Sequence, residues 1–280
     1  MPKPYEPTKN ATLAVRESTS KQKAQWHRTE IMGIYRQLLR TYGPQHWWPG
    51  QTAFEVIVGA ILTQNTAWKN VEKAIANLKR SRLLTPAAMH NVSEKRLAAL
   101  IRPSGYFNIK AGRLKSFTRF LYNEYRGSLQ GMFKGSHDTL REKLICVKGI
   151  GPETADSILL YAGGYPTFVA DAYTRRVFSR HGFVPEEISY DALKRYFMDR
   201  LSPDAVLFNE YHALIVKVGK ERCRKAPLCV GCPLETFLND SSGINLSSKK
   251  SKISLRDTRI ISGQHGDPVF ARPRKSVILS

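Results

Sequence analysis

Leu144-Ile145-Cys146-Val147-Lys148-Gly149-Ile150-Gly151-Pro152-Glu153-Thr154-Ala155-Asp156 is the stretch on which the fold turns. An apolar run ends in two glycines one residue apart, and a proline opens the segment that follows. Glycines at this spacing permit a tight hairpin with positive φ angles and leave the backbone open to close approach. Pro152 suits the first turn of the next helix, where its missing N–H costs nothing. Backbone N–H groups at such a turn and helix start form a concave anion site. A phosphate is its natural guest, and a backbone-to-phosphate contact reads no base sequence. Lys148 adds positive charge beside it. The spacing alone also fits a helix corner whose glycines only let two helices pack closely.

Outward from the hairpin the periodicity is helical. Ile31, Ile34, Tyr35, Leu38 and Leu39 recur at three- and four-residue spacings. Phe54 to Leu62 is apolar almost all round, as in a helix buried at the centre of a bundle. The pattern predicts further helices over about 70–78, 93–101, 110–125, 136–146, 152–162, 171–181, 189–201 and 205–218. Thr167-Phe168-Val169 is the best strand candidate and is too short to build a sheet. The fold class is all-α, and the length suffices for one large domain or two compact lobes. Residues 1–28 read as a basic flexible arm, 29–239 as the folded domain with two helical lobes, and 240–280 as a basic, disordered tail.

The chain of 280 residues carries 44 Lys and Arg against 23 Asp and Glu, a net charge of +21. That excess favours polyanionic partners, above all nucleic acid, where each phosphate contact releases a counterion. The start lacks the apolar core of a signal peptide, and the longest apolar stretch, Val56 to Leu62, is too short to span a bilayer. Four cysteines, three of them between Cys223 and Cys232, do not form a disulfide framework. The address expected is reducing and cytoplasmic, in association with the nucleoid, with no membrane partner.

About twenty residues past the glycines, Tyr165-Pro166-Thr167-Phe168-Val169-Ala170 leads into Asp171, which opens another helix. An Asp there is a good N-cap. This pairing resembles the helix-hairpin-helix, Gly/Pro-rich, Asp signature of the endonuclease III-like DNA glycosylase superfamily. Phe54–Thr66 looks like its buried helix and polar loop, Gly105-Tyr106-Phe107-Asn108-Ile109-Lys110-Ala111 like its next turn, and His212–Val216 like its last core helix. The resemblance covers roughly residues 30 to 236. Trp47-Trp48-Pro49, Leu62–Thr66 and the Gly149–Asp156 run fit best the endonuclease III-related 3-methyladenine DNA glycosylases.

The resemblance implies a two-lobed helical bundle with a central cleft, and a repair enzyme acting as a monomer on double-stranded DNA that contains a damaged base. It makes Asp171 the catalytic carboxylate, able to stabilise an oxocarbenium-like sugar and to orient or deprotonate a water. Bifunctional relatives carry a Lys four residues after the first hairpin glycine; Glu153 stands there. A carboxylate cannot form a Schiff base, so a hydrolytic glycosylase without strand cleavage is expected. Glu153 either joins the chemistry or simply favours the helix N-terminus as an anion. The hairpin residues Lys148, Gly149, Ile150 and Gly151 are expected on DNA. Gln64 and Asn65 fit the wedge that fills the stack after base extrusion, Asn65 ahead of Gln64. Trp47 and Trp48 are the leading base-pocket candidates, with Phe54 and Tyr106 behind them, since an electron-poor alkylated purine stacks well on an indole.

Cys223, Cys229 and Cys232 have the clustered spacing of metal ligands. Many relatives hold a [4Fe-4S] cluster here, which needs four thiolates. The position expected for the fourth offers Thr236, Phe237 and Leu238 instead. A cluster, a three-Cys zinc site with an outside ligand and a metal-free loop are all open on the sequence. Two other functions share the same motifs. One is a glycosylase for another lesion, a mismatched thymine or uracil or an oxidised base. The other is a non-catalytic helix-hairpin-helix DNA-binding protein, which has no need of Asp171 facing a polyanion.

Overall fold

The computed structural model describes residues 29–238, and every regular element among them is helical. The arm over 1–28 and the tail over 240–280 lie outside the described residues. Helix α1 covers 29–42. It is followed by α2 (Ala53–Thr63), α3 (Trp68–Arg80), α4 (Pro86–Asn91), α5 (Glu94–Leu100) and α6 (Phe107–Tyr125). Next come α7 (Leu129–Met132), α8 (His137–Ile145) and α9 (Pro152–Ser157), the last continuing into a π-helical turn, Ile158–Ala162. Helices α10 (Ala172–Arg180), α11 (Tyr190–Met198) and α12 (Ala205–Glu221) complete the set. No described helix is long and apolar enough to cross a membrane.

Local chemistry sets the starts of these helices. The side chains of Thr52, Thr85, Ser93, Ser136, Asp171, Ser189 and Asp204 each accept a first-turn amide, satisfying donors that a helix leaves free. Helix α3 buries Val71, Ala74, Ile75 and Leu78, a single stripe. Helix α2 is buried from Phe54 to Leu62, as its unbroken apolarity predicts. It includes one charged residue, Glu55, whose carboxylate pairs with Lys79 at 2.7 Å. Helices α4 and α7 were not evident from periodicity, because six and four residues are too few to display it.

The buried apolar side chains fall into two clusters. Phe54, Ile61, Leu114, Phe117, Leu144 and Ile158 belong to the first, built on α2–α9. Ile34, Phe168, Phe178, Phe197, Phe208 and Tyr211 belong to the second, built on α1 and α10–α12. The π-helical turn joins them: Leu159 packs in the first and Leu160 in the second. The strand candidate Thr167-Phe168-Val169 is irregular. Its apolar character reflects burial of Phe168 and Val169 in the second cluster rather than a pleated edge.

Candidate active site

The hairpin joins α8 to α9 through residues 146–151. Gly149 has φ +91°, whereas Gly151 has φ −91° and extended backbone, so only the first glycine uses the left-handed freedom expected of both. A Cβ at Gly149 would also lie 2.3 Å from Arg113 Cγ, and one at Gly151 would meet nothing within 4 Å. Among the described residues the Gly149 and Gly151 amides have no protein acceptor. Ile150 departs from expectation. Its side chain is buried and its amide donates to Val147 O at 3.0 Å, so it anchors the tip from within. Lys148 is exposed and lines the groove over the hairpin.

Asp156, fully buried on α9, braces the hairpin from behind. It accepts from Arg141 Nε of α8 at 2.9 Å, from Lys194 Nζ at 2.7 Å and from the Tyr190 hydroxyl at 2.9 Å. The two helices are thereby tied to each other and to α11. A buried carboxylate of this kind is tolerated because it is paired and hydrogen-bonded.

On the other side of α9 lies a cavity of about 180 Å³ between the two apolar clusters. Trp47, Trp48 and Trp68 wall it, with ring centroids 5.2 to 5.7 Å apart. Gly59 lets the Trp48 indole lie against α2, since a Cβ there would sit 3.1 Å from Trp48 Nε1. Glu153, Asp171 and His212 also face it. Phe54 does not: it is a core residue of α2. Tyr106 does not either. It is 69 % exposed, in left-handed backbone at the start of α6, on the outside of the protein.

Two carboxyls share this cavity, and their pKa values are shifted in opposite directions. Asp171 caps α10: its Oδ1 accepts from the Thr174 amide at 2.8 Å and the Thr174 hydroxyl at 3.0 Å. Burial by itself would raise the Asp171 carboxyl, but the His212 ring and the Thr174 hydrogen bonds outweigh it and hold the pKa below the ordinary value. Glu153 keeps an exposed edge at the rim, yet the protein packed around its carboxyl desolvates it. Together with the Asp171 charge, this pushes its pKa up.

The loop after α2 is built to two different ends. Gln64 is spent on structure: its Nε2 donates to Gly149 O at 3.0 Å and Thr154 Oγ1 at 2.9 Å, while Arg113 donates to its Oε1. Asn65 is exposed at φ +52° with its side chain at the cavity mouth. Lys110 fastens this loop to its neighbour. Its buried ammonium donates to Leu62 O at 2.8 Å, Thr66 Oγ1 at 2.5 Å and Ser104 O at 2.7 Å. Burial, with the charge of Arg113, lowers its pKa to about 8.

Sequence reasoning missed Trp68, Tyr161, His212 as a site residue, Lys110 as a tether, and Lys220, whose ammonium lies 5.9 Å over the Trp47 ring. A signal existed for His212, an ionisable residue inside the apolar run 211–216. None existed for Tyr161, whose position depends on the π turn.

The three clustered cysteines do not fit a four-thiolate cluster. Cys223, Cys229 and Cys232 are free. Burial, and then the neighbouring Cys223 thiol, push Cys229 up; burial likewise raises Cys232. Where a fourth ligand is expected, Phe237 packs against α1 at Gly33. The loop is fastened by arginines instead: Arg176 donates to Cys223 O at 2.7 Å, and Arg180 to Lys225 O at 3.1 Å. Among the described residues no group of His, Cys, Asp or Glu converges to hold a metal ion.

The chain is similar to known proteins in sequence and in fold. Residues 58–203 match the family described as HhH-GPD superfamily base excision DNA repair protein. A Methanocaldococcus jannaschii protein named "Putative DNA repair glycosylase" is 51 % identical over 209 residues, covering 74 % of this chain and 94 % of its own. Endonuclease III of Sulfolobus acidocaldarius is 28 % identical over 189 residues, covering 67 % and 82 %. The solved 3-methyladenine DNA glycosylase of H. pylori, bound to 1,N6-ethenoadenine, superposes with a TM-score of 0.60 at 28 % identity, covering 71 % of this chain and 97 % of that one.

Proposed function

The chain belongs to the HhH-GPD superfamily of base excision DNA repair proteins, the helix-hairpin-helix glycosylases, and from that premise we propose a monofunctional glycosylase that extrudes an alkylated purine, such as 3-methyladenine, and hydrolyses its N-glycosidic bond. The observation that carries this reading is the cavity itself: Asp171 and Glu153 face one space walled by Trp47, Trp48 and Trp68. Indole faces favour electron-poor, cationic bases, and alkylation supplies that character together with a weakened glycosidic bond. The likeness to a 3-methyladenine glycosylase supports the same substrate class.

The two carboxyls divide the work. Asp171, held ionised, stabilises positive charge that develops on the sugar as the C1′–N bond breaks and its electron pair leaves with the base. Glu153, with a raised pKa, is the better proton acceptor. It takes the proton of the water whose oxygen bonds to C1′. Environments that push two carboxyls apart are how one site assigns such roles.

The protein acts as a monomer on double-stranded DNA. The free amides at Gly149 and Gly151, with Lys148, bind a backbone phosphate. Asn65 and Tyr106, both exposed and in left-handed backbone, lie on adjoining loops: the Thr66 hydroxyl donates to Ser104 O at 2.5 Å. They fill the stack that the extruded base leaves. Gln64, fully hydrogen-bonded, holds the loop to the hairpin.

A panel of duplexes carrying an alkylated purine, uracil, a mismatched thymine or an oxidised purine tests the assignment, with base release and strand cleavage scored separately. Release of the alkylated purine alone, without strand cleavage, is the expected result. Preference for another lesion would overturn the substrate class. Borohydride trapping of a covalent adduct would overturn the hydrolytic mechanism and point to Lys220, an amine that lines the cavity.

A further inference from the structure

Behind Asp171 stands a pair of groups that the scheme above does not use. His212, on α12, is 5 % exposed. Its Nδ1 lies 2.5 Å from the Tyr161 hydroxyl, and its Nε2 lies 3.5 Å from Asp171 Oδ2. The second contact is electrostatic rather than a formed hydrogen bond, and among the described residues Nε2 has no hydrogen-bond partner. The two oxygens of Asp171 thus have separate neighbours, Thr174 on Oδ1 and His212 on Oδ2.

Proton bookkeeping fixes the arrangement. The Tyr161 phenol stays protonated, because burial and then the charges of Asp171 and Glu153 push its pKa well up. Its hydroxyl has the His212 ring as its hydrogen-bond partner among the described residues, so it donates to Nδ1. That leaves the ring proton on Nε2, facing a carboxylate that can only accept. Tyr161 reaches this place from the π-helical turn, a local rewinding that recurs at functional sites. The Trp48 ring, 5.1 Å away, packs on it from the cavity side.

We infer that His212, held in one tautomer by Tyr161, is a positioning residue whose Nε2–H fixes Asp171 Oδ2 toward the cavity. The inference rests on Asp171 being the reacting carboxylate. The groups around Asp171 are Glu153 from α9, Tyr161 from the π turn, Thr174 from α10 and His212 from α12, with Lys220 farther along α12 at the rim. Of these, Glu153 opposes ionisation, as does burial. Removing the imidazole takes away the ring N–H that faces Asp171 Oδ2 and leaves that opposition unanswered. Asp171 then ionises at higher pH.

The test is the pH dependence of single-turnover base release by the full chain, on a duplex that the wild type processes, for wild type, Tyr161→Phe and His212→Phe. DNA affinity is measured in parallel. The acid limb is expected to move to higher pH by about one unit in His212→Phe, and by less in the same direction in Tyr161→Phe. Affinity should stay within about twofold. A rate that falls equally at all pH values, with the limb unmoved, would overturn the inference, as would unchanged profiles. Should His212→Phe fail to fold, Tyr161→Phe decides alone, since it removes one oxygen and keeps the ring. A wild type that releases no base from any duplex would instead refute the glycosylase reading on which the inference stands.

Discussion

The Gln64 side chain donates to Thr154 Oγ1 at 2.9 Å, joining the loop that follows the buried helix α2 to the second helix of the hairpin. The same amide nitrogen reaches Gly149 O, and Arg113 donates to the amide oxygen. Hairpin and loop are therefore tied to each other through the hydrogen bonds of Gln64. Gln64→Ala strips the partner from three groups at once and should lower stability by about 1–3 kcal/mol. Denaturant melts measure this. Single-turnover base release should fall more than DNA affinity, because the loop proposed to enter the stack loses its anchor.

The two hairpin glycines should respond in opposite ways. Gly149→Ala forces a left-handed φ on an L residue and drives a Cβ into Arg113, at a cost of about 1–2 kcal/mol from backbone alone. Gly151→Ala meets neither obstacle within the protein. Its melting should stay close to wild type while affinity for any duplex drops, whatever the base sequence. Equal effects of both substitutions on stability would contradict this division.

Lys110 gives a pH signature. Its pKa in the folded chain, about 8, lies below the ordinary lysine range, so in between the unfolded chain binds more protons. Stability therefore rises with pH in that window, as the cost of burying the charge is relieved. Below it the cost is fully present. Lys110→Met should be less stable than wild type throughout, since it leaves the Leu62 carbonyl without this donor and takes one of two donors from Ser104 O. The gap between the two should widen from pH 8 upward. Thermal melts of both proteins across that range check it.

Glu153 offers a kinetic signature with the opposite limb. A base with a raised pKa loses activity as pH falls through that value. Glu153→Gln should slow hydrolysis by about 100-fold or more and abolish this part of the acid limb. A pH–rate profile of the same shape in the variant would remove Glu153 from the chemistry and leave it as an anion at the start of α9.

Much of the local structure around this cavity was legible in the sequence. The glycine spacing and Pro152 marked the hairpin, and unbroken apolarity marked α2. An Asp followed by a helix-compatible run marked the cap at Asp171. What stayed hidden depends on distant segments meeting. Phe54 and Tyr106 belong to the same aromatic class as Trp47, but α2 turns the first into the core and the start of α6 turns the second outward. Composition cannot distinguish those fates. Trp68 and Tyr161 join Trp48 only because the π turn and the start of α3 converge on it. Gln64 and Asn65 are adjacent in the chain, and only the hydrogen bonds to Gly149 and Thr154 separate their roles.

The most direct measurement is single-turnover release of 3-methyladenine from methylated duplex DNA by the wild type and by Asp171→Asn, with the products separated by chromatography. Asparagine still caps α10, so the fold and DNA binding should persist. The account predicts release by the wild type and a loss of about 100-fold or more in the variant at undiminished DNA affinity. Comparable release by the two proteins would contradict it.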